Sequence, residues 1–406
     1  MNDPKITEVE GGITAPIGYR AAGVASGLKP TGLDLALVVS DSLASAAGVF
    51  TTNLAVAAPV TLAKKHLEKS SGFAKAIVVN SKCANACTGE RGVTAAQAMA
   101  EDAATVLECN TEQVLVASTG VIGMHLDTNK VRAGIKEAAG QLCSGSHRRA
   151  AEAIMTTDIS PKERAVIVKA SSGSFTIGGM AKGAGMIEPN MATMLGFLTT
   201  DADVAPPLLN QALRTVVEDT FNAISVDGES STNDTVFMLA NGMSNVKITA
   251  DDSTYTALVI GLTSVCSWLA QEIVRGGEGA TKLVTISVVG AASNEEAKSA
   301  ARLISNSPLV KTALHGGDPN WGRVLAVAGR SGVMFDQHKA EVRIGHVTLY
   351  ADATVFSERE SDAAQHMEGP EIDVTVDLGT GGTGRATMWT CDFSAEYVHI
   401  NADYRT

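Results

Sequence analysis

Residues 182–203 read KGAGMIEPNMATMLGFLTTDAD, and this stretch decides how the rest of the 406-residue chain is read. Gly183-Ala184-Gly185 is a small-residue loop that leads through Pro189 and Asn190 to Ala192-Thr193. A strand-like run, Met194 to Thr200, follows directly. A threonine at a loop-to-strand junction would become a new amino terminus if the Ala192–Thr193 bond were cut. It would then carry a hydroxyl nucleophile and a base, its own α-amine, on one residue. A free α-amine titrates near ~7.7–8.0, so a useful fraction is neutral at pH 7 and can take the hydroxyl proton. Before the cut the nitrogen is an amide and no base. Thr193 Oγ would have to attack the Ala192 carbonyl from a strained backbone, which Pro189, Gly183 and Gly185 make accessible. The plain alternative is a glycine loop entering a buried strand, with Thr193 as an ordinary β-branched strand residue.

Outward from this stretch the first half alternates strands with alanine-rich helices. The patterns predict a strand at 76–79, a helix at 94–107, a strand at 114–117 and a helix to Leu142 capped by Asp127 or Thr128. They also predict a hairpin of 164–168 with 174–180 about Ser171-Ser172-Gly173. Beyond Thr193 come a strand, a helix from Pro206 to about Ile224, a strand at 235–239 and a long helix from about Tyr255 to Val274. A strand at 283–289, a helix at 294–304 and strand-rich sequence from Val342 onward complete the order. No low-complexity linker separates the halves, so one cut inside a continuous fold is expected rather than two independent domains.

Composition narrows the classes. A chain that is 45% hydrophobic and 19% charged can bury a large core. A net charge of −12 argues against nucleic-acid binding, which calls for a basic face. The most apolar run, Thr256 to Ala270, is too short and hydroxylated to predict a membrane span. The amino-terminal MNDPKITEVEGG reads as neither a signal nor a transit peptide, so a cytoplasmic protein is expected. The six cysteines are scattered, and Cys83 and Cys87 have no partners at zinc spacing. The eight histidines show no metal-ligand spacing either, and the chemistry above needs no metal and no cofactor. Gly379 to Gly384 fits G-x-G-x-x-G, but the following residues read as a strand, so a hairpin loop is expected and no dinucleotide site.

Lys182 to Thr200 closely resembles the cleavage signature of the ornithine acetyltransferase family, bifunctional proteins of arginine biosynthesis. APIGYRAAGVASGLK (15–29), AGVFTTN (47–53), ASTGVIG (117–123) and AIMTTDISPK (153–162) agree in order. So do STNDTV (231–236), EGATKLVTI (278–286), VKTALHGGDPNWGRVLAVAG (310–329) and YVHINADYRT (397–406). The resemblance implies an α/β fold of layered sheets sandwiched between helices (α-β-β-α) with N-terminal-nucleophile chemistry. It implies fragments 1–192 and 193–406 that stay associated, as two α and two β chains. It further implies acetyl transfer from N2-acetylornithine to glutamate, with acetyl-CoA an additional acetyl donor in bifunctional members.

Site roles follow from the same resemblance. Thr193 maps to the nucleophile and Ala192–Thr193 to the cleaved bond. Thr119 and Gly120 map to the oxyanion hole, although a Ser-Thr-Gly turn by itself is usually only a turn. Thr156, Lys182, Glu278, Asn401 and Thr406 map to substrate contacts. Thr157 leaves a one-residue ambiguity at the first of these, and Asp158 reads equally well as a turn cap. A lysine suits a substrate carboxylate and a glutamate suits the ornithine ammonium. Lys82-Cys83, in NSKCANACTG (80–89), departs from the small or polar pair that the family carries there. Related self-cleaving amidases and aminopeptidases favour a serine nucleophile, which makes hydrolysis the second reading.

Overall fold

A computed structural model of the chain describes residues 4–188, 194–250 and 253–403. In chain order the elements are β1 (Lys5–Val9), β2 (Tyr19–Val24), β3 (Leu35–Phe50), α1 (Ala58–Lys69), β4 (Phe73–Asn80), α2 (Gly89–Leu107), β5 (Val114–Ser118), α3 (Thr128–Gly140) and α4 (His147–Ala153). Then come β6 (Lys162–Ala170), β7 (Gly173–Lys182), β8 (Leu195–Thr200), α5 (Pro206–Glu218), β9 (Ile224–Ser225), β10 (Thr235–Ala240) and α6 (Ser253–Arg275). The last stretch holds β11 (Leu283–Ala291), α7 (Asn294–Ser305), α8 (Pro308–Gly316), α9 (Trp321–Gly329), β12 (Glu341–Ile344), β13 (Val347–Ala351), β14 (Thr354–Val355), α10 (Glu360–Met367), β15 (Glu371–Asp377), β16 (Gly384–Cys391) and α11 (Ala395–Asp403). The chain forms two compact units, one mainly residues 1–222 with 229–273, the other 223–228 with 274–405.

The first unit is built on a mixed sheet in the order β1-β6-β7-β8-β10-β3-β4-β5, with β2 also paired to β3. Its strands β3, β4 and β5 are apolar on both faces. Leu37, Val78 and Val116 point into one buried cluster with Met99, Ala100, Ala103, Val131 and Ile135 of α2 and α3. Their neighbours Val38, Ile77 and Leu115 point into the other, with Ala150, Ala151 and Ala153 of α4. Alternation along a strand with helices on both sides demands this continuous apolar sequence. The alanines of α2 recur every three to four residues, so that helix lies close against its neighbours. Asp127 caps α3, accepting from Asn129 N and Lys130 N, as one of the two expected caps.

The order of strands matters for the site. β8 and β10 follow residue 193 in sequence, yet they lie between β7 and β3, which precede it. β8 pairs with β7 from Lys182↔Leu195 to Ile177↔Thr200, and β10 pairs with β3 from Thr235↔Phe50 onward. β3 shifts register against β4 between Val39 and Ala44, a bulge that separates the part laddered to β2 from the part laddered to β10.

The second unit carries a sheet in the order β14-β13-β12-β15-β11-β16-β9. Ala297, Ala300, Ala301 and Ile304 of α7 are buried with Val284, Ile286, Val288 and Met388 of β11 and β16. Trp321 of α9 stacks on Tyr350 of β13 at 4.7 Å between ring centroids. Two mixed sheets with helices packed on them give the expected α/β class.

Several boundaries differ from expectation, each for a local reason. α2 starts at Gly89 rather than 94, with Glu90 in its first turn. α5 stops at Glu218, and the residues expected to continue it form a 3₁₀ turn and then β9. α8 and α9 lie between 304 and 342, where no element is expected from sequence. In the structure Ser307 and Asn320 are N-caps and Gly317 is a left-handed C-cap at φ +68°. The strand-rich carboxy-terminal region is interrupted by α10 and ends in α11. Gly379–Gly384 is not a hairpin loop: β15 and β16 pair with opposite edges of β11 rather than with each other. No helix follows it, so the dinucleotide reading remains unsupported.

α6 runs for 23 residues and contains an 18-residue stretch of mean hydropathy 1.6, long and apolar enough to cross a membrane and longer than the run read from sequence. Leu258, Leu262, Val265, Cys266 and Leu269 are nevertheless buried in the protein. A Cβ placed on Gly179 of β7 would meet Leu269 at 3.1 Å and Val265 at 3.1 Å, so α6 covers the β6–β7 hairpin. This is the burial expected of a core helix.

Candidate active site

The site grows from the end of a parallel strand pair. β4 and β5 run parallel with Asn80 opposite Ser118, and the loops leaving such strands meet at their carboxyl ends. Ser118 Oγ donates to Asn80 Oδ1 at 2.6 Å, and Asn80 Nδ2 donates to the Cys83 carbonyl at 2.9 Å. The Thr119 N–H is taken by the Asn80 carbonyl and the Val121 N–H by the Lys82 carbonyl. Between them the Gly120 N–H donates to no acceptor among the described residues. Gly120 sits at φ +130°, and a Cβ there would lie 2.1 Å from the Lys82 carbonyl carbon. Only glycine fits this turn.

Lys182, the last residue of β7, reaches the same turn. Its buried Nζ donates to Thr119 Oγ1 at 3.0 Å. Because that oxygen accepts from lysine, the threonine's own proton is directed elsewhere. A hydroxyl donor beside an unpaired backbone N–H is the arrangement that stabilises a tetrahedral oxyanion. Thr119, Gly120 and Lys182, predicted separately, are thus brought together.

Asp158 organises the other side of Lys182. Its carboxylate accepts from Lys162 Nζ at 2.7 Å, from Gly183 N at 2.8 Å and from Thr156 N at 3.0 Å. Burial alone would push this carboxyl up, but the Lys162 and Lys182 charges and the hydrogen bonds hold it at about 2. The turn-cap reading captures the Thr156 bond and misses the buried ion pair. Thr156, half-buried, is placed here through its backbone. Lys29 approaches as well, its Nζ on the Leu33 and Met155 carbonyls. Burial draws its pKa down, Asp34 and Asp158 push it up, and Lys182 and Lys82 draw it down again. Four lysines against Asp158 and Asp34 leave a cationic surround suited to a carboxylate.

STNDTV supplies residues with no role expected from sequence. Asn233 Nδ2 donates to the Ala84 carbonyl at 2.7 Å and the Ser118 carbonyl at 2.9 Å, tying the lead-in of β10 to both loops. Asp234 beside it is 1% exposed, and neither carboxyl oxygen has a well-formed hydrogen bond. Burial pushes it well above the usual carboxylate range, against the pull of the Met194 N–H, the Lys182 charge and the Ser231 N–H. The signal was available: an Asp directly before an apolar strand is costly unless the charge has a task.

In the second unit Asn401 Nδ2 of α11 donates to Glu278 Oε2 at 2.8 Å, and Glu278 is buried. Gly279 permits the approach at φ +70°, since a Cβ there would lie 2.5 Å from Tyr397 N. Glu278 and Asn401 are therefore joined as a pair. Ala192, Thr193 and Thr406 lie outside the described residues. Cys83 is buried with its thiol on the Met124 carbonyl, and Lys82 sits at φ +79°, so the departing pair belongs to the loop that packs on Gly120.

A profile of the ArgJ family matches residues 20–406. The arginine biosynthesis bifunctional protein ArgJ of Chlorobaculum tepidum is 47% identical over 393 residues, 96% of each chain. That of Chlorobium chlorochromatii is 49% identical, over 96% of this chain and 91% of its own. Among solved structures, the ornithine acetyltransferase of Mycobacterium tuberculosis, complexed with ornithine, is 40% identical with a TM-score of 0.42, over 46% of this chain and 98% of that one. The protein is thus an α/β acyltransferase of arginine biosynthesis. It belongs to the ArgJ family.

Proposed function

We propose that the chain cuts itself between Ala192 and Thr193 and then moves acetyl from N2-acetylornithine to glutamate. Thr193 Oγ attacks the acetyl carbonyl while its proton passes to the Thr193 α-amine. The Oγ–C bond forms, the C–N bond of the substrate breaks, and the ammonium returns a proton to the departing ornithine nitrogen. Glutamate's amine then attacks the acetyl ester, Thr193 Oγ leaves and recovers a proton, and N-acetylglutamate departs. Acetyl-CoA entering the first half-reaction would make the same ester.

The observation that carries this reading is the Lys182–Thr119 bond beside the unpaired Gly120 N–H. Both donors suit the negative oxygen of either tetrahedral intermediate. The lysines around Asp158 suit the α-carboxylate common to ornithine and glutamate; taken by itself, the Glu278–Asn401 pair of the second unit suits an ammonium group. Strand order supports lasting association of fragments 1–192 and 193–406: β8 and β10 of one are laddered between β7 and β3 of the other. A pair of such heterodimers is the assembly we propose, in the cytoplasm.

Intact mass spectrometry with and without N2-acetylornithine tests the reading. Two fragments meeting at Ala192/Thr193, and one acetyl added to the carboxy-terminal fragment, are expected. A single 41.9 kDa species that still transfers acetyl would overturn it.

A further inference from the structure

EGATKLVTI (278–286) and VKTALHGGDPNWGRVLAVAG (310–329) meet in the second unit at Asp392, a residue of neither. Asp392 directly follows β16 and is buried. Its Oδ1 accepts from Thr281 N at 2.7 Å and from Lys282 N at 2.9 Å. Its Oδ2 accepts from Thr281 Oγ1 at 2.6 Å and from His315 Nδ1 at 2.6 Å. Burial alone would raise this carboxyl, but the Thr281 and His315 side chains and the two backbone N–H groups hold it below the usual carboxylate range. A carboxylate only accepts, so His315 donates through Nδ1 and its half-exposed ring is fixed in orientation. Lys282 fastens the same junction, with Nζ on the Leu314 and Met367 carbonyls at 2.9 Å each.

Asp392 holds one leg of a tight turn. Ala280 N donates to the Gly277 carbonyl at 3.0 Å, which places Glu278 and Gly279 at the two corners. Gly279 takes the left-handed corner at φ +70°, and Ser394 Oγ donates to its carbonyl at 2.6 Å. The leg before the turn is tied by Gly277 N to the Val274 carbonyl at 3.0 Å. The leg after it, Thr281-Lys282, hangs from Asp392 by two N–H bonds. None of the Asp392 bonds closes the turn itself, so they fix where the turn sits rather than whether it forms. Glu278 at its corner meets Asn401 Nδ2 at 2.8 Å through Oε2.

We infer that His315 and Asp392 are positioning residues that set Glu278 for the side-chain ammonium of the acetyl donor, and so determine specificity for donors that carry that cation. This rests on the proposed function, in which the Glu278–Asn401 pair serves an ammonium group. Both residues act through Thr281 and the turn, and neither exchanges a proton in the transfer.

The test compares kcat/KM for N2-acetylornithine and for N2-acetylnorvaline, which has the same carbon chain without the δ-ammonium. Full-chain Asp392→Ala, His315→Ala, His315→Asn and Glu278→Gln are measured beside the wild type. Asp392→Ala should lower kcat/KM for acetylornithine by about tenfold or more, mainly through KM, and leave acetylnorvaline within about threefold. His315→Ala should shift the preference the same way by about threefold, and His315→Asn, whose amide nitrogen replaces Nδ1, should restore it. An Asp392→Ala variant that loses both donors equally, or neither, while Glu278→Gln loses the preference, overturns the assignment. If Asp392→Ala is insoluble, His315 decides: an Ala variant with the wild-type preference, or an Asn variant no better than Ala, refutes it. A wild type indifferent to the δ-ammonium, or a Glu278→Gln variant that keeps the wild-type preference, would instead sink the role proposed for Glu278 and this inference with it.

Discussion

Lys182 Nζ donates to Thr119 Oγ1 across 3.0 Å in a buried site, so the threonine hydroxyl can give its proton only to something other than lysine. The lysine thereby orients and polarises the proposed oxyanion donor. Thr119→Val should lower kcat by roughly 10²–10³-fold, the usual loss of about 2.7–4 kcal/mol for one such donor. Thr119→Ser keeps the hydroxyl and should retain most of the rate. Steady-state kinetics on cut protein would check both, and a Val variant near wild-type rate would remove Thr119 from the site.

Gly120 and Gly123 provide a paired test of the turn. Both have positive φ, but a Cβ at Gly120 meets backbone at 2.1 Å, whereas at Gly123 it meets nothing within 4 Å. Gly123→Ala should cost about 1 kcal/mol of conformational strain. Gly120→Ala must also displace the Lys82–Cys83 backbone, so a loss beyond about 3 kcal/mol and collapse of acyl transfer are expected. Chemical denaturation of the two variants side by side would show whether the gap exists.

Asp158 sets an acid limit. Its folded pKa of about 2 lies below the unfolded value near ~3.9, so the folded state holds the proton less tightly. The stability this gives is fully present above about pH 4 and is lost as pH falls toward 2. It amounts to about 2–3 kcal/mol. Asp158→Asn strands Lys162 and should cost about 3–5 kcal/mol at neutral pH while flattening the acid dependence between pH 4 and 2. Denaturation midpoints across that range would reveal the slope, and an Asn variant with an unchanged slope would contradict the linkage.

The sequence carried the strands from β4 to β8 with β10 and β11, the helices α2, α3, α5, α6 and α7, and the separate candidates Thr119, Gly120, Lys182, Glu278 and Asn401, the last five through motifs that resemble the family's. It did not carry the contacts among them. Lys182 meets Thr119 across 63 positions of chain, and Asn233 meets Ser118 across 115, and no periodicity encodes such pairings. Asp158 resembled a cap because one of its three bonds is a capping bond. α8 and α9 were hidden because Gly317 and Asn320, which terminate and start them, are also ordinary loop residues.

Lys82 is the one departure from the family pattern whose consequence can be measured directly. Its φ of +79° lies in the left-handed region, where a lysine is strained and a glycine is not. Its carbonyl accepts the Val121 N–H and lies against Gly120, so the strain is stored in the loop that packs on the Thr119–Gly120 turn. Lys82→Gly removes the Cβ penalty while keeping that carbonyl, and should be neutral to stabilising by about 1 kcal/mol. Removing the cation also leaves fewer charges near Lys29, so KM for a carboxylate substrate should rise modestly with kcat kept within about threefold. Thermal melting separates the backbone effect and kinetics the electrostatic one. A destabilised glycine variant would mean that the lysine side chain, rather than its backbone, holds the loop in place.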